Sequence, residues 1–272
     1  KAGLKGELQR WDWSYYSNKL MQERYALDDE MLKPYFKLEN VQKGVFDLAT
    51  RLYGITFKEV NNIPLYHPEV KTYEVYDNDG SFLAVLYTDF FPRESKGGGA
   101  WMTQFRGQKM VDGKDQRPLV SLVMNFTKPT DTKPSLLTFN EVTTFLHEFG
   151  HALHGMFSKC TYGSTSMDGV SRDFVELPSQ FMENYALEKE WLDTWAVHYQ
   201  TGEKIPQEYI DKIKKSSNFQ AGYASDRQLS FGMVDMAWHT ITEPVTEPLA
   251  DFEQRAMGKT EIMPLVKGSA FS

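Results

Sequence analysis

Cysteine is almost absent from this chain of 272 residues: Cys160 stands alone, which excludes an internal disulfide and says little about compartment. No run of 18 apolar residues occurs, so no helical membrane span is expected. A basic segment leading into apolar residues and a small-residue cleavage site is also missing, so no secretory leader is visible. Long blocks of like charge are lacking too. The net charge of −7 is spread along the chain, which argues against nucleic acid as a partner. There is no internal repeat and no low-complexity linker. With 41% apolar residues the chain can bury a substantial core, as one large domain or two small ones. The 14% of aromatic residues mostly serves that core, and also suits a groove for side chains. These traits fit a cytoplasmic chain, with a periplasmic location as the alternative.

The apolar pattern predicts helices over residues 12–27 and 39–53, the second stopped by Gly54. Strands follow at 55–60, 72–76 and 81–89, the last two joined by a turn at Asp77-Asn78-Asp79-Gly80. Gly97-Gly98-Gly99 leads into a strand at 100–105, and 119–126 is a further apolar strand. Helices then dominate, at about 176–195, 206–215 and 219–240, after a helix that carries the most informative motif. The expected class is α+β and predominantly helical: a helical start (1–54), a small antiparallel or mixed sheet inserted (55–127) and a helical core (138–272).

That motif is His147-Glu148-Phe149-Gly150-His151. Two His four residues apart lie one turn apart on one helix face, so both imidazoles can reach a single metal ion. Glu148, beside the first, can hold a water there and take its proton. Thr138 and Glu141 are spaced as a capping box, and Val142, Phe145, Phe149, Leu153 and Met156 form an apolar stripe, so the motif sits on a helix. A third ligand is needed. The pattern in which a Gly and a third His follow at fixed offsets is excluded, because those positions hold His154 and Phe157. His154 lies about 10 Å along the axis from His147, awkward for one tetrahedral ion, and is expected to support the site or the core. A carboxylate on a following helix remains.

Downstream stands Arg172-Asp173-Phe174-Val175-Glu176-Leu177-Pro178-Ser179-Gln180. With the His pair upstream, this resembles the catalytic core of the thimet oligopeptidase and dipeptidyl carboxypeptidase family of zinc peptidases, which includes oligopeptidase A-like enzymes. Asn125-Phe126-Thr127-Lys128-Pro129, Phe90-Phe91-Pro92-Arg93-Glu94 and Trp11-Asp12-Trp13-Ser14-Tyr15-Tyr16 agree, and the likeness runs along nearly the whole chain. The resemblance implies a zincin-like domain in which Glu176 is the third ligand. Spacing supports a helix start there: Asp173 and Glu176 again read as a capping box, and Pro178 is tolerated only near a first turn. Taken alone, Glu176 is equally an acid favoured by the helix dipole. Gln180, one turn on, is placed to support a ligand by a hydrogen bond.

The resemblance further implies one Zn²⁺ per chain held by His147, His151 and Glu176, with Glu148 as general base. It implies short peptides as substrates, a monomeric full-length protein, an edge strand at Gly98, Gly99 and Ala100 that pairs with an extended peptide, and Arg172 as a further substrate-binding residue. Two departures stand out. Where the family carries Ser-Gly-Thr before the Arg172 segment, this chain has Ser166-Met167-Asp168. The family also has an earlier helical wall and a later stretch rich in Tyr and His for substrate binding; neither is in this sequence, so a part of the catalytic half with weak or no activity of its own is expected. Cleavage within oligopeptides and release of C-terminal dipeptides both remain open. The competing class is a non-catalytic zinc- or peptide-binding module retaining the fold; Glu148 counts against it, since a structural zinc site needs no acid beside its ligand.

Overall fold

The computed structural model describes residues 6–260, 262 and 263. In chain order the helices are α1 (Trp13–Tyr25), α2 (Asp29–Leu32), α3 (Leu38–Tyr53), α4 (Phe139–Met156), α5 (Leu177–Glu183), α6 (Lys189–Leu192), α7 (Gln207–Ser216), α8 (Ala221–His239) and α9 (Leu249–Met257). The strands are β1 (Thr56–Val60), β2 (Lys71–Tyr76), β3 (Phe82–Asp89), β4 (Trp101–Arg106), β5 (Lys109–Val111), β6 (Lys114–Gln116) and β7 (Leu119–Val123). The chain divides into two compact units, residues 28–210 and residues 1–27 with 211–272.

In the 28–210 unit, α3 buries Leu38, Val41, Val45, Leu48 and Ala49 at helical spacing. It ends at Gly54, whose φ of 77° suits glycine and whose N–H donates to the Thr50 carbonyl. A five-stranded mixed sheet follows, in the order β1-β2-β3-β7-β4, parallel only between β3 and β7. The turn at 77–80 closes as expected, with Asp77 N–H on the Ser81 carbonyl (2.8 Å) and Gly80 at φ 81°. β3 is buried from Leu83 to Asp89, because it lies inside the sheet. β4 is an edge strand.

α4 packs on β7 and β4. Its start is the expected box: Glu141 N–H donates to Thr138 Oγ1 (3.1 Å) and Thr138 N–H to Glu141 Oε2 (2.7 Å). Phe145 meets the rings of Phe90 and Phe126, and Phe149 those of Phe46 and Phe57. At the far end the half-buried guanidinium of Arg117 donates to the carbonyls of Met156, Ser158 and Leu83, joining the end of α4 to β3.

Three expectations change. The helix expected over 176–195 is three pieces: α5, a 3-10 turn (Asn184–Leu187) and α6. Asp173 caps nothing; it is exposed in a turn, and the N-cap of α5 is Glu176. The last strand stops at Val123, not 126. The β5–β6 hairpin and the short helices α2 and α9 are additional to the expected elements. In the second unit, Trp13 packs on Tyr223 (ring centroids 3.9 Å) and Ser17 Oγ donates to Gln220, tying α1 to the start of α8. Trp238 of α8 stacks on Phe252 of α9 (4.1 Å). Of the expected helical core, residues 261 and 264–272 lie outside the described residues.

Candidate metal centre

α4 and α5 touch backbone to backbone at Gly150. A Cβ there would lie 2.5 Å from the Pro178 carbonyl oxygen and 2.6 Å from Ser179 Cα, so only glycine fits without displacement. This contact brings Glu176, at the N-cap of α5, to the face of α4 that carries His147 and His151. Nε2 of each imidazole lies 3.1 Å from Glu176 Oε2, and the donor atoms of the three residues lie within 4.8 Å of one another. Ligands about 2 Å from a tetrahedral ion stand roughly 3.3 Å apart, and two imidazole nitrogens with one carboxylate are the donors a hydrolytic zinc site uses. The cluster therefore fits a divalent cation in spacing and in chemistry.

The surroundings bias His151 and Glu176 toward the states that bind a metal ion. Burial holds His151 below the ordinary imidazole range against the opposing pull of Glu176, which favours a neutral ring with a free lone pair. The Ser179 hydroxyl, fully buried, donates to Glu176 Oε2 (2.7 Å), and this bond, helped by both His, keeps Glu176 below the ordinary carboxylate range. Glu148 is 8% exposed. Burial raises its carboxyl above the ordinary value, opposed by His147 and by a hydrogen bond from the Met102 backbone of β4. His147 Nδ1 faces Glu183 Oε1 at 2.6 Å.

A cleft of about 300 Å³ opens beside these groups, lined by Ala100, Asn140, Thr143, Thr144, His147, Glu148 and Glu183. Ala100 stands at the start of β4. The Asn125 amide donates to the carbonyls of Gly97 and Gly99, and no atom stands within 4 Å of where a Cβ of Gly98 or Gly99 would lie. The approach to the edge strand is therefore open to another backbone.

Other expected residues fall elsewhere. His154 lines a separate cavity with Tyr53, Phe157 and Cys160, and burial lowers its ring's basicity. Gln180 is exposed, and its side chain makes no hydrogen bond among the described residues; Asn184 takes only its backbone carbonyl. Arg172 and Asp173 are exposed in the turn before α5. The supporting positions that sequence reasoning missed are Ser179 and Glu183, three and seven residues after Glu176; seven is two turns, so Glu183 returns to the same face. The loop between α4 and α5 is tied to β4, since Gln104 Nε2 donates to Asp168 Oδ1 (2.9 Å).

Residues 1–272 match the model of peptidase family M3 along their whole length. The chain belongs to peptidase family M3. It is 44% identical over 252 residues to the dipeptidyl carboxypeptidase of Salmonella typhimurium, covering 92% of this chain and 37% of that protein. Against oligopeptidase A of Escherichia coli identity is 42% over 255 residues, 91% of this chain and 38% of that protein. Organellar oligopeptidase A of Arabidopsis thaliana is 39% identical over 271 residues, 97% of the chain and 34% of that protein. The chain thus spans little more than a third of the length of these curated relatives. No helix among the described residues is long and apolar enough to cross a membrane.

Proposed function

We propose that this M3 peptidase chain carries the catalytic centre of a zinc-dependent peptidase acting on short peptides, within a zincin-like domain. The observation that carries the reading is the convergence of His147, His151 and Glu176 beside the buried carboxyl of Glu148. His147 and His151 through Nε2 and Glu176 through a carboxylate oxygen would hold one Zn²⁺. Zinc, when bound, supplies a Lewis acid for the scissile carbonyl and makes a neighbouring water easier to deprotonate. Glu148 orients the attacking water and accepts its proton on a carboxylate oxygen as the carbon–oxygen bond forms. It then delivers that proton to the amine nitrogen as the carbon–nitrogen bond breaks. A base held above the ordinary carboxylate range suits this double duty near neutral pH. The open edge of β4, with Gly98, Gly99 and Ala100, would pair with the substrate backbone and lay the scissile bond across the cleft. Relatives named for dipeptidyl carboxypeptidase and for oligopeptidase activity both match, so both cleavage modes stay within this proposal.

The test combines metal content and turnover. In the full-length protein Glu148→Gln should keep about one zinc per chain and lower hydrolysis of a quenched short peptide by about 10²–10⁴-fold, because the base is lost and the ligands remain. His151→Ala and Glu176→Ala should lose the metal. Zinc retained in Glu176→Ala and lost in His154→Ala would overturn the ligand set, and full turnover in Glu148→Gln would overturn the role of the base.

A further inference from the structure

We propose that Glu183 is a positioning residue for the metal centre: its carboxylate accepts a hydrogen bond from His147 Nδ1–H and thereby presents Nε2 of that ring to the metal. The inference rests on the zinc-site reading above and adds a residue to it.

The geometry is specific. Glu183 Oε1 lies 2.6 Å from His147 Nδ1, while Nε2 of the same ring points to Glu176 Oε2 at 3.1 Å. A carboxylate oxygen at this distance is placed to accept from Nδ1–H, which leaves Nε2, on the far side of the ring, directed at the cluster. The two His differ here. His151 Nδ1 is buried and has no hydrogen-bond partner among the described residues, so on that side packing holds the ring, which is 11% exposed. His147 is more open, at 26%, and lines the cleft, so without a bond at Nδ1 its ring could turn. The same short helix, α5, thus fixes both flanks of the cluster: Ser179 holds Glu176 at its start and Glu183 holds His147 at its end. The last residue of α5 is Glu183, and a 3-10 turn follows it directly.

Chelator competition for zinc on wild type, Glu183→Ala and Glu183→Gln tests this, together with nitrogen NMR of the His147 ring in the zinc-loaded proteins. Glu183→Ala should bind zinc about 10–100-fold more weakly, with a circular dichroism spectrum like that of wild type. In Glu183→Gln the amide oxygen can still accept, so affinity should fall less and the ring should keep its proton on Nδ1. Unchanged affinity in both variants, or a zinc-loaded wild-type ring without a hydrogen-bonded Nδ1 proton, would overturn the role of Glu183. Should Glu183→Ala fail to fold, the glutamine variant and the wild-type ring spectrum still decide. A wild type that binds no zinc would instead sink the zinc-site reading, and this inference with it.

Discussion

Ser179 and Gln180 are neighbours with opposite fates. Ser179 is fully buried and its hydroxyl donates to Glu176, whereas Gln180 faces solvent. Counting one full turn from Glu176 selects Gln180, but Glu176 is the N-cap, and the hydroxyl of Ser179, three positions on, meets both its carbonyl and its carboxylate. Ser179→Ala should therefore weaken zinc binding by about 10-fold or more in a chelator competition, while Gln180→Ala leaves the curve where it was. Equal losses in the two variants would show that the hydroxyl contact carries no weight. The His pair, the adjacent Glu148 and the ligand candidate Glu176 were legible because they follow from helical period and a recognisable motif. Ser179 and Glu183 were not, because their roles depend on the angle at which a second helix meets the first.

At the scale of elements, that angle depends on Gly150. Gly150→Ala places a methyl group against the backbone of Pro178 and Ser179, which no rotamer change can relieve. It should destabilise the fold by about 1–3 kcal/mol in urea unfolding and should also weaken zinc binding, since α5 must move away carrying Glu176. A variant that lost stability but bound zinc as before would separate the helix contact from the metal centre. Arg117 serves the other end of α4, where it satisfies carbonyls of Met156 and Ser158. Arg117→Ala should cost about 1–3 kcal/mol and speed hydrogen exchange in the last turn of α4. An unchanged exchange pattern would mean that water replaces the guanidinium without loss. The capping box at Thr138 could be read from spacing, because the partners are three residues apart. Arg117 could not, because its partners lie about forty residues away in sequence.

For the stability of the whole molecule, the buried charge cluster at the end of β3 sets a pH dependence. Asp89 is 1% exposed and accepts from Arg93 through two nitrogens, from Lys96 Nζ and from Tyr66 OH. Burial alone would raise its carboxyl, but these donors outweigh it and hold it below the ordinary carboxylate range. A folded-state value below the unfolded one means that the cluster stabilises the fold above the unfolded value, about 3.9, and that this contribution is lost as pH falls through the folded value. Asp89→Asn leaves Lys96, 2% exposed, without its counter-ion and should cost about 3–5 kcal/mol at neutral pH. The gap from wild type should narrow below about pH 4 in a urea series. A gap that stayed constant down to acid pH would show that the charge of Asp89 contributes nothing.

Much of this protein is readable from the chain alone. The helical start, the hairpin at 77–80, the motif helix with its cap and the order of sheet before helices all depend on neighbours within a few residues, where period and capping act. The family resemblance offered Glu176 as the candidate third ligand before any geometry was known. Only the tertiary structure decided that the stretch after Glu176 breaks after seven helical residues, that β4 forms the sheet edge beside Glu148, and which side chains hold the candidate ligands in place. Those outcomes depend on how closely α5 and β4 approach α4, and an approach between distant segments leaves no periodic mark in a sequence.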